Sequence, residues 1–261
     1  MRWNGVIYAA GAIGLGLTGL AFGDFALQWQ PVPKGFPARE ALSAISAVAL
    51  LAAGATLLWR RSALYGALAL AIMYGLWSFA LKTPALIARP LEMVSWLGPA
   101  ETLAMAAGGL TLAALTLPTG LTEARMRLTA RIAFGLCQTI FGLSHFAYAG
   151  FTAAMVPAWI PPGGLFWAYA TGVAHIAGGL AILSGVQARL AATLLTVMYA
   201  GFALLLHAPR VAAAPAAHIE WVMLGIATSI CGAAWAIRAG LDPEARPWGF
   251  LDRREPAAET P

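Results

Sequence analysis

The chain has 261 residues, of which 60% are hydrophobic and only 10% are charged, and its mean hydropathy is +0.74. So few charged residues cannot solvate a globule of this length, which excludes an ordinary soluble domain and indicates a membrane protein. The net charge of +5 does not indicate nucleic-acid binding, because the basic residues are dispersed in short turns without a binding motif. Membrane lipid with anionic headgroups is the expected partner.

Eight apolar runs follow one another along the chain. A transmembrane helix needs about 20 apolar residues to cross roughly 30 Å of hydrocarbon, and backbone groups in lipid must be hydrogen-bonded within the chain. We therefore predict an all-α polytopic membrane protein with eight transmembrane helices. The predicted spans are approximately residues 5–27, 41–59, 63–81, 94–117, 132–152, 166–184, 190–207 and 219–238.

Residues 17–96 resemble residues 138–221, which indicates an internal duplication. The matched landmarks are Met73-Tyr74, Pro84, Pro90 and Trp96 in the first copy and Met198-Tyr199, Pro209, Pro215 and Trp221 in the second. The spacing between the copies drifts further upstream, as small insertions after a duplication would produce. We predict two four-helix repeats, residues 1–120 and 121–240, followed by a polar, disordered cytoplasmic tail at residues 241–261.

An even number of helices in each copy gives both copies the same orientation, so we predict parallel repeats related by an axis along the membrane normal. Most of the 16 lysines and arginines fall at the ends of the helices that share a side with the two termini. The positive-inside rule then places both termini in the cytoplasm. Four proline-rich loops are predicted on the outer side, at residues 30–37, 84–90, 157–162 and 209–215.

The second copy resembles a known family. Residues 135–146 read GLCQTIFGLSHF, and residues 156–183 read VPAWIPPGGLFWAYATGVAHIAGGLAIL. The glycine spacing and aromatic end of the first segment, the proline-rich loop, and the polar group ahead of Gly-Gly in the next helix are similar to the DoxX family of bacterial four-helix membrane proteins. The first copy, Gly14 to Leu115, resembles the same unit more faintly. His175 stands where many relatives have an acidic residue.

The resemblance implies two DoxX-like units in the bacterial inner membrane and a link to quinone-coupled redox systems, such as thiosulfate oxidation or the detoxification of oxidants. It also implies a redox protein as a partner, or a homo-oligomer. The expected function is that of an integral membrane protein in quinone-linked redox or oxidative-stress metabolism. The alternatives are a non-catalytic anchor or assembly subunit of an oxidoreductase complex and a small-solute transporter. Whether the chain is itself an enzyme stays open.

All four histidines lie in the second copy, and ionisable groups inside a span cost about 2.5 to 3.5 kcal/mol at its centre, so they are functional candidates. His175 falls near the middle of its span, and His145 falls near the outer end of its own. For His175 three interpretations stay open: a neutral imidazole that locks neighbouring helices, a donor to a quinone carbonyl, or an axial haem ligand facing His145. No spacing of histidines typical of a metal site occurs, so no metal is predicted.

Tyrosines near these histidines complete the predicted site. We expect an outer-leaflet pocket that orients a quinone headgroup, with haem as the less favoured cofactor. Its predicted cofactor-binding residues are His145, His175, Tyr148, Tyr169 and Tyr199. Aromatic side chains near the helix ends could form its walls, although the same residues also suit a membrane interface.

Overall fold

The computed structural model describes residues 4–241, and within them the chain forms helices joined by turns, with no strand. The predicted tail lies outside these residues, apart from Leu241. Eight long helices follow in order: α1 Val6–Phe22, α2 Arg39–Leu57, α3 Ala63–Ala88, α4 Met93–Ala114, α5 Leu121–Ala147, α6 Gly164–Ser184, α7 Ala188–Ala213 and α8 His218–Gly240. Two shorter elements, a 3₁₀ turn at Leu27–Trp29 and a helix at Ala149–Met155, lie between them.

Five of these helices, α2, α3, α6, α7 and α8, are long and apolar enough to cross a membrane. A sixth span is counted if α5 and the helix at Ala149–Met155 act as one, because these two are bent by 94° at their junction. The prediction of an all-α membrane protein with several spans is therefore confirmed. Of the other two helices, α1 has only 17 residues, and α4 carries Pro99 and Glu101, which lower its hydropathy.

Helix α8 lies at the centre of the bundle and packs against α1, α4 and α7. Its most apolar stretch is 72% buried, whereas the corresponding stretches of the other four spans are 33% to 39% buried. Helix α4 packs against α3, α5 and α8, and α6 packs against α5 and α7. The pairing of α4 with α8 therefore joins the two halves of the chain, and the remaining helices present apolar side chains to the lipid.

Two of the four predicted proline-rich loops are largely helical, so that prediction is wrong for residues 84–90 and 209–215. Helices α3 and α7 continue through Pro84 and Pro209. Each proline follows a π-helical segment, in which the amides of Thr83 and Ala208 bond to carbonyls five residues earlier. The wider turn starts a new α-helical segment, and a proline is tolerated at such a start because its missing N–H is not needed there.

The helices alternate in direction, so their connections lie at two ends of the bundle. We call one of these ends the proline end. It holds the segments that connect α1 to α2, α3 to α4, α5 to α6, and α7 to α8. These segments cover residues 23–38, 89–92, 148–163 and 214–217. We call the opposite end the terminal end. It holds both ends of the described chain and the connections at residues 58–62, 115–120 and 185–187.

Candidate functional site

The contact between α5 and α6 brings the second-half polar residues together. Along α5, Gly142 faces α6 so closely that a Cβ atom on it would lie 2.6 Å from the carbonyl oxygen of Gly172. Along α6, a Cβ atom on Gly179 would lie 2.7 Å from the carbonyl oxygen of Gly135. Only glycine, which has no Cβ atom, allows the two helix backbones to approach this closely. Since residues at i, i+3 and i+7 share a helix face, polar side chains between these glycines point into the same contact.

Four polar side chains, Gln138 and His145 of α5, His175 of α6 and Tyr199 of α7, form what we call the quartet. The Tyr199 hydroxyl donates to Gln138 Oε1 at 2.7 Å, and His175 Nδ1 lies 3.0 Å from the same oxygen. His175, Gln138 and Tyr199 are 2%, 0% and 4% exposed. Within residues 4–241, Gln138 Nε2 is buried without a hydrogen-bond partner. An unpaired buried donor costs about 1 to 3 kcal/mol, which indicates a group that a ligand or a water would satisfy.

His145 joins the quartet from the side nearer the proline end. Its ring packs edge to face on His175, with ring centroids 5.0 Å apart, and the residue is half-buried. Its Nδ1 lies 2.9 Å from the hydroxyl of Thr171 and 3.2 Å from the carbonyl oxygen of Ala168. Because the Thr171 hydroxyl donates to the carbonyl of Trp167 at 2.6 Å, Nδ1 carries the proton. Nε2 of His145 is then an acceptor.

Aromatic rings enclose the quartet on two sides. The Phe141 ring packs edge to face on His175, with centroids 5.6 Å apart. The Phe202 ring lies 6.5 Å from His145, 6.3 Å from His175 and 5.9 Å from Tyr199, measured between centroids. This surrounding is apolar, so hydrogen bonds inside it are stronger than they would be in water.

Two of the predicted site residues are not in the quartet. Helix α5 ends at Ala147, and the sharp bend after it turns Tyr148 away, so that its hydroxyl accepts a hydrogen bond from the Val94 amide at 3.1 Å. Tyr169 stacks on Phe146, with centroids 5.7 Å apart, and is 43% exposed. The structure therefore brings together three of the five predicted residues, His145, His175 and Tyr199.

The quartet does not fit the haem alternative. A haem held by two histidines lies between rings that face each other across the macrocycle. In the structure the rings of His145 and His175 pack directly against each other, with centroids 5.0 Å apart. No room for a macrocycle remains between them.

Sequence reasoning missed two polar residues in the helices. Gln138 lies seven residues before His145, a spacing that puts both on one helix face, so the pattern could have revealed it. Glu101 lies in α4, where its Oε2 accepts a hydrogen bond from Trp29 Nε1 at 2.8 Å. The prediction considered the histidines and passed over this carboxylate, although it is an ionisable group within a predicted span.

Two cavities lie outside the quartet. One of about 370 Å³ at the terminal end is lined by Glu123, Arg127 and Arg131 together with parts of α4 and α8. The other, of about 150 Å³, lies near the proline end between α3 and α4, next to Lys82 and Ser95.

Comparison with protein families gives a match to the DoxX family model over residues 126–208. The matched segment holds most of α5, all of α6 and most of α7, and thus the whole quartet. Searches of curated proteins and of solved structures give no match. The resemblance to the DoxX family found in the sequence is confirmed for this segment.

Proposed function

We propose that this DoxX-domain membrane protein serves quinone-linked redox or oxidative-stress metabolism by binding a quinone headgroup at the quartet. One observation carries the proposal: buried polar groups converge beside a half-buried histidine, and among them the Gln138 amide Nε2 has no partner within the described residues. The DoxX match supports membrane integration. The quinone is inferred from the chemistry of the quartet and from the resemblance.

The orientation of His145 supports a specific role for it. With Nδ1–H held by Ala168 and Thr171, Nε2 can accept a hydrogen bond from a quinol hydroxyl. His145 and Phe146 both lie against Gly172 of α6, and Phe146 is 41% exposed. A lipid-soluble headgroup could therefore reach His145 from the bilayer, while a partner oxidoreductase exchanges electrons with it.

The other quartet members are suited to orient the headgroup. Gln138 Nε2 is a donor for a quinone carbonyl, and the bonds from Tyr199 and His175 to Oε1 hold this amide in one orientation. Phe202, with its ring near three members of the quartet, offers an aromatic face on which a flat ring can stack. Bound quinone would supply two-electron redox chemistry at this place.

We further propose that the chain is a tandem duplication of a four-helix unit with eight spans. Several paired features separated by 125 positions support it. The π-helical segments Trp77–Lys82 and Phe202–His207 correspond, as do the starts of α4 and α8. Trp96 Nε1 donates to the Pro90 carbonyl at 2.8 Å, and Trp221 Nε1 donates to the Pro215 carbonyl at 2.9 Å.

Helix packing supports the same relation. The first helix of each proposed repeat packs on the fourth helix of the other, α1 on α8 and α5 on α4, and the two fourth helices pack on each other. Such reciprocal contacts are what a two-fold axis along the membrane normal produces. The basic residues near the terminal end support cytoplasmic termini, and the family supports a bacterial inner membrane.

A non-catalytic anchor or assembly subunit is the second candidate, and one observation favours it. His175 and Tyr199 are both hydrogen-bonded to Gln138 without any ligand, so the quartet can lock three helices together by itself. In that case replacing a quartet member lowers the stability of the protein, and ligand binding does not change because no ligand is bound.

The test is to purify the protein in mild detergent, extract it with organic solvent and measure quinone by mass spectrometry. We expect close to one quinone per chain in the wild type and a loss of about tenfold or more in His145→Ala, as removal of about 1.4 kcal/mol of binding free energy would give. Leu143→Ala, on the neighbouring lipid-facing surface, should retain the quinone. A quinone-free wild type that also binds no added quinone would favour the anchor.

A further inference from the structure

Glu101 forms a second polar centre, which shares no hydrogen bond with the quartet and lies outside the segment matched by the DoxX family. It lies in α4 two to three turns from the helix start, and the indole of Trp29, itself 5% exposed, donates to its Oε2 at 2.8 Å. A carboxyl at such a depth is costly in a membrane protein and marks a functional position by default. Trp29 alone gives it one hydrogen bond, which leaves further acceptor capacity on the carboxylate.

The groups that face Glu101 come from three elements. Lys82 of α3 and Tyr199 of α7 interact with it electrostatically, and Trp29 approaches from the 3₁₀ turn. The Lys82 ammonium lies against α4 one turn nearer the proline end, since a Cβ atom on Gly98 would be 3.1 Å from Nζ. A nearby cation of this kind stabilises the ionised carboxylate, so that Glu101 can exist in both protonation states.

A cavity of about 150 Å³ connects this region to the surface. Its inner wall is formed by Lys82, Ser95, Gly98 and Pro99, and exposed residues such as Arg89 line its mouth. The volume exceeds the minimum of about 10 to 15 Å³ that a single water requires. Several waters therefore fit between the surface and the turn of α4 that precedes Glu101.

The inner wall also presents groups that require water. The Ser95 hydroxyl is buried and has no hydrogen-bond partner within residues 4–241. Pro99 has no N–H, so the carbonyl four residues earlier, again that of Ser95, lacks its usual helical donor. A donor and an acceptor left open at one residue are what ordered water satisfies.

We infer that Glu101 is a proton-exchanging carboxyl in the first half of the chain, reached by water from the proline end through the cavity beside Lys82 and Ser95. Its proton passes to and from these waters, and the carboxyl alternates between its neutral and ionised forms. The inference goes beyond the proposed quinone site, because it depends on α3 and α4 and holds whether or not a quinone binds to the quartet.

The test is infrared difference spectroscopy of the full-length purified protein between about pH 4 and about pH 9, a range that brackets the carboxyl groups. We expect a protonated-carboxyl band that appears as the pH falls, shifts in D₂O and is lost in Glu101→Gln. The control, Glu123→Gln, removes a carboxyl near the terminal end and should keep the band. The inference is overturned if no band depends on Glu101, or if the band does not exchange in D₂O.

A cavity-filling variant tests the route. Ser95→Leu places an apolar side chain in the cavity, and we expect it to slow deuteration of the Glu101 band by about tenfold or more, since the waters are displaced. Ile87→Leu, at an exposed position of α3 that does not line the cavity, should exchange like the wild type. If Ser95→Leu does not fold, Gly98→Ala fills the same cavity with one methyl group. Exchange at the wild-type rate in a folded cavity-filling variant would contradict the route.

Discussion

The two halves of the molecule contain different polar centres on similar helical frameworks. In the second half, Gln138, His175 and Tyr199 form a buried, hydrogen-bonded network. In the first half, Glu101 and Lys82 are partly buried ionisable groups beside a cavity. Similar helices thus carry a hydrogen-bonded network in one half and two ionisable side chains in the other. Function here follows the side chains and not the fold.

A pair of tyrosines shows how the difference arises. Tyr74 and Tyr199, which the proposed duplication aligns, are 0% and 4% exposed. Tyr199 donates to Gln138, whereas the Tyr74 hydroxyl lies near Ser229 of α8 and makes no well-formed hydrogen bond within the described part of the chain. The first-half residue aligned with Gln138 is Leu17, which is apolar and 54% exposed. The first half therefore has no buried amide at the position of Gln138.

The largest expected effect separates a helix glycine in the tight α5–α6 contact from a helix glycine of the first half that faces open space. Gly142→Ala places a methyl group 2.6 Å from the Gly172 carbonyl, and we expect a loss of about 1 to 3 kcal/mol in stability. Gly14→Ala in α1, where nothing lies within 4 Å of the added atom, is the control. Thermal unfolding in detergent measures both, and equal midpoints would contradict the close contact.

A smaller effect is expected from the two tyrosines. Tyr199→Phe removes the hydrogen bond to Gln138, and we expect it to lower the free energy of unfolding by about 0.5 to 1.5 kcal/mol. Tyr74→Phe removes a hydroxyl that has no partner among residues 4–241, so it should be neutral or stabilising. Denaturant titration of the two variants in the same detergent compares them. A larger loss of unfolding free energy for Tyr74→Phe than for Tyr199→Phe would contradict the difference between the two tyrosines.

The smallest effect concerns Asp24, which the proposed duplication aligns with His145. Partial burial would raise the pKa of Asp24, but the Arg39 guanidinium at 2.6 Å and the Phe25 amide outweigh it and hold this pKa below its usual value. The lowered pKa means that the pair stabilises the fold fully above the usual Asp range and loses this contribution as the pH falls through the lowered value. We expect the melting temperature of Asp24→Asn to fall less steeply than that of the wild type as the pH is lowered below about 4. The same pH dependence of the melting temperature in the variant and the wild type would show that the Asp24–Arg39 pair does not stabilise the fold.

Sequence alone predicted the class of the fold and much of the candidate site. Apolar runs identify the helices because lipid leaves the backbone no other partner. The structure brings His145, His175 and Tyr199 together, and their role in binding a cofactor stays a prediction. The extent of α3 and α7 was wrong because a proline normally ends a helix, and the π-helical segments before Pro84 and Pro209 were not visible in the pattern.

The errors in the site have local causes. Tyr148 was included because it follows His145 by about one helical turn, but α5 ends before it and the chain bends by 94°. Glu101 is a single acidic residue in an otherwise apolar run, and no motif in the sequence marks it. The contact of Glu101 with Trp29 joins residues 72 positions apart, and no sequence spacing reports such a pairing.

The central claim, that the ligand binds in the second half, is tested most directly by photolabelling the purified protein with an azido-quinone and mapping the labelled residues by mass spectrometry. The account predicts labelling around His145, Thr171 and Phe202, competed by excess unlabelled quinone and lost in His145→Ala. Competed labelling of the aligned first-half segments, around Asp24 and Trp77, or labelling that excess quinone does not reduce, would contradict it.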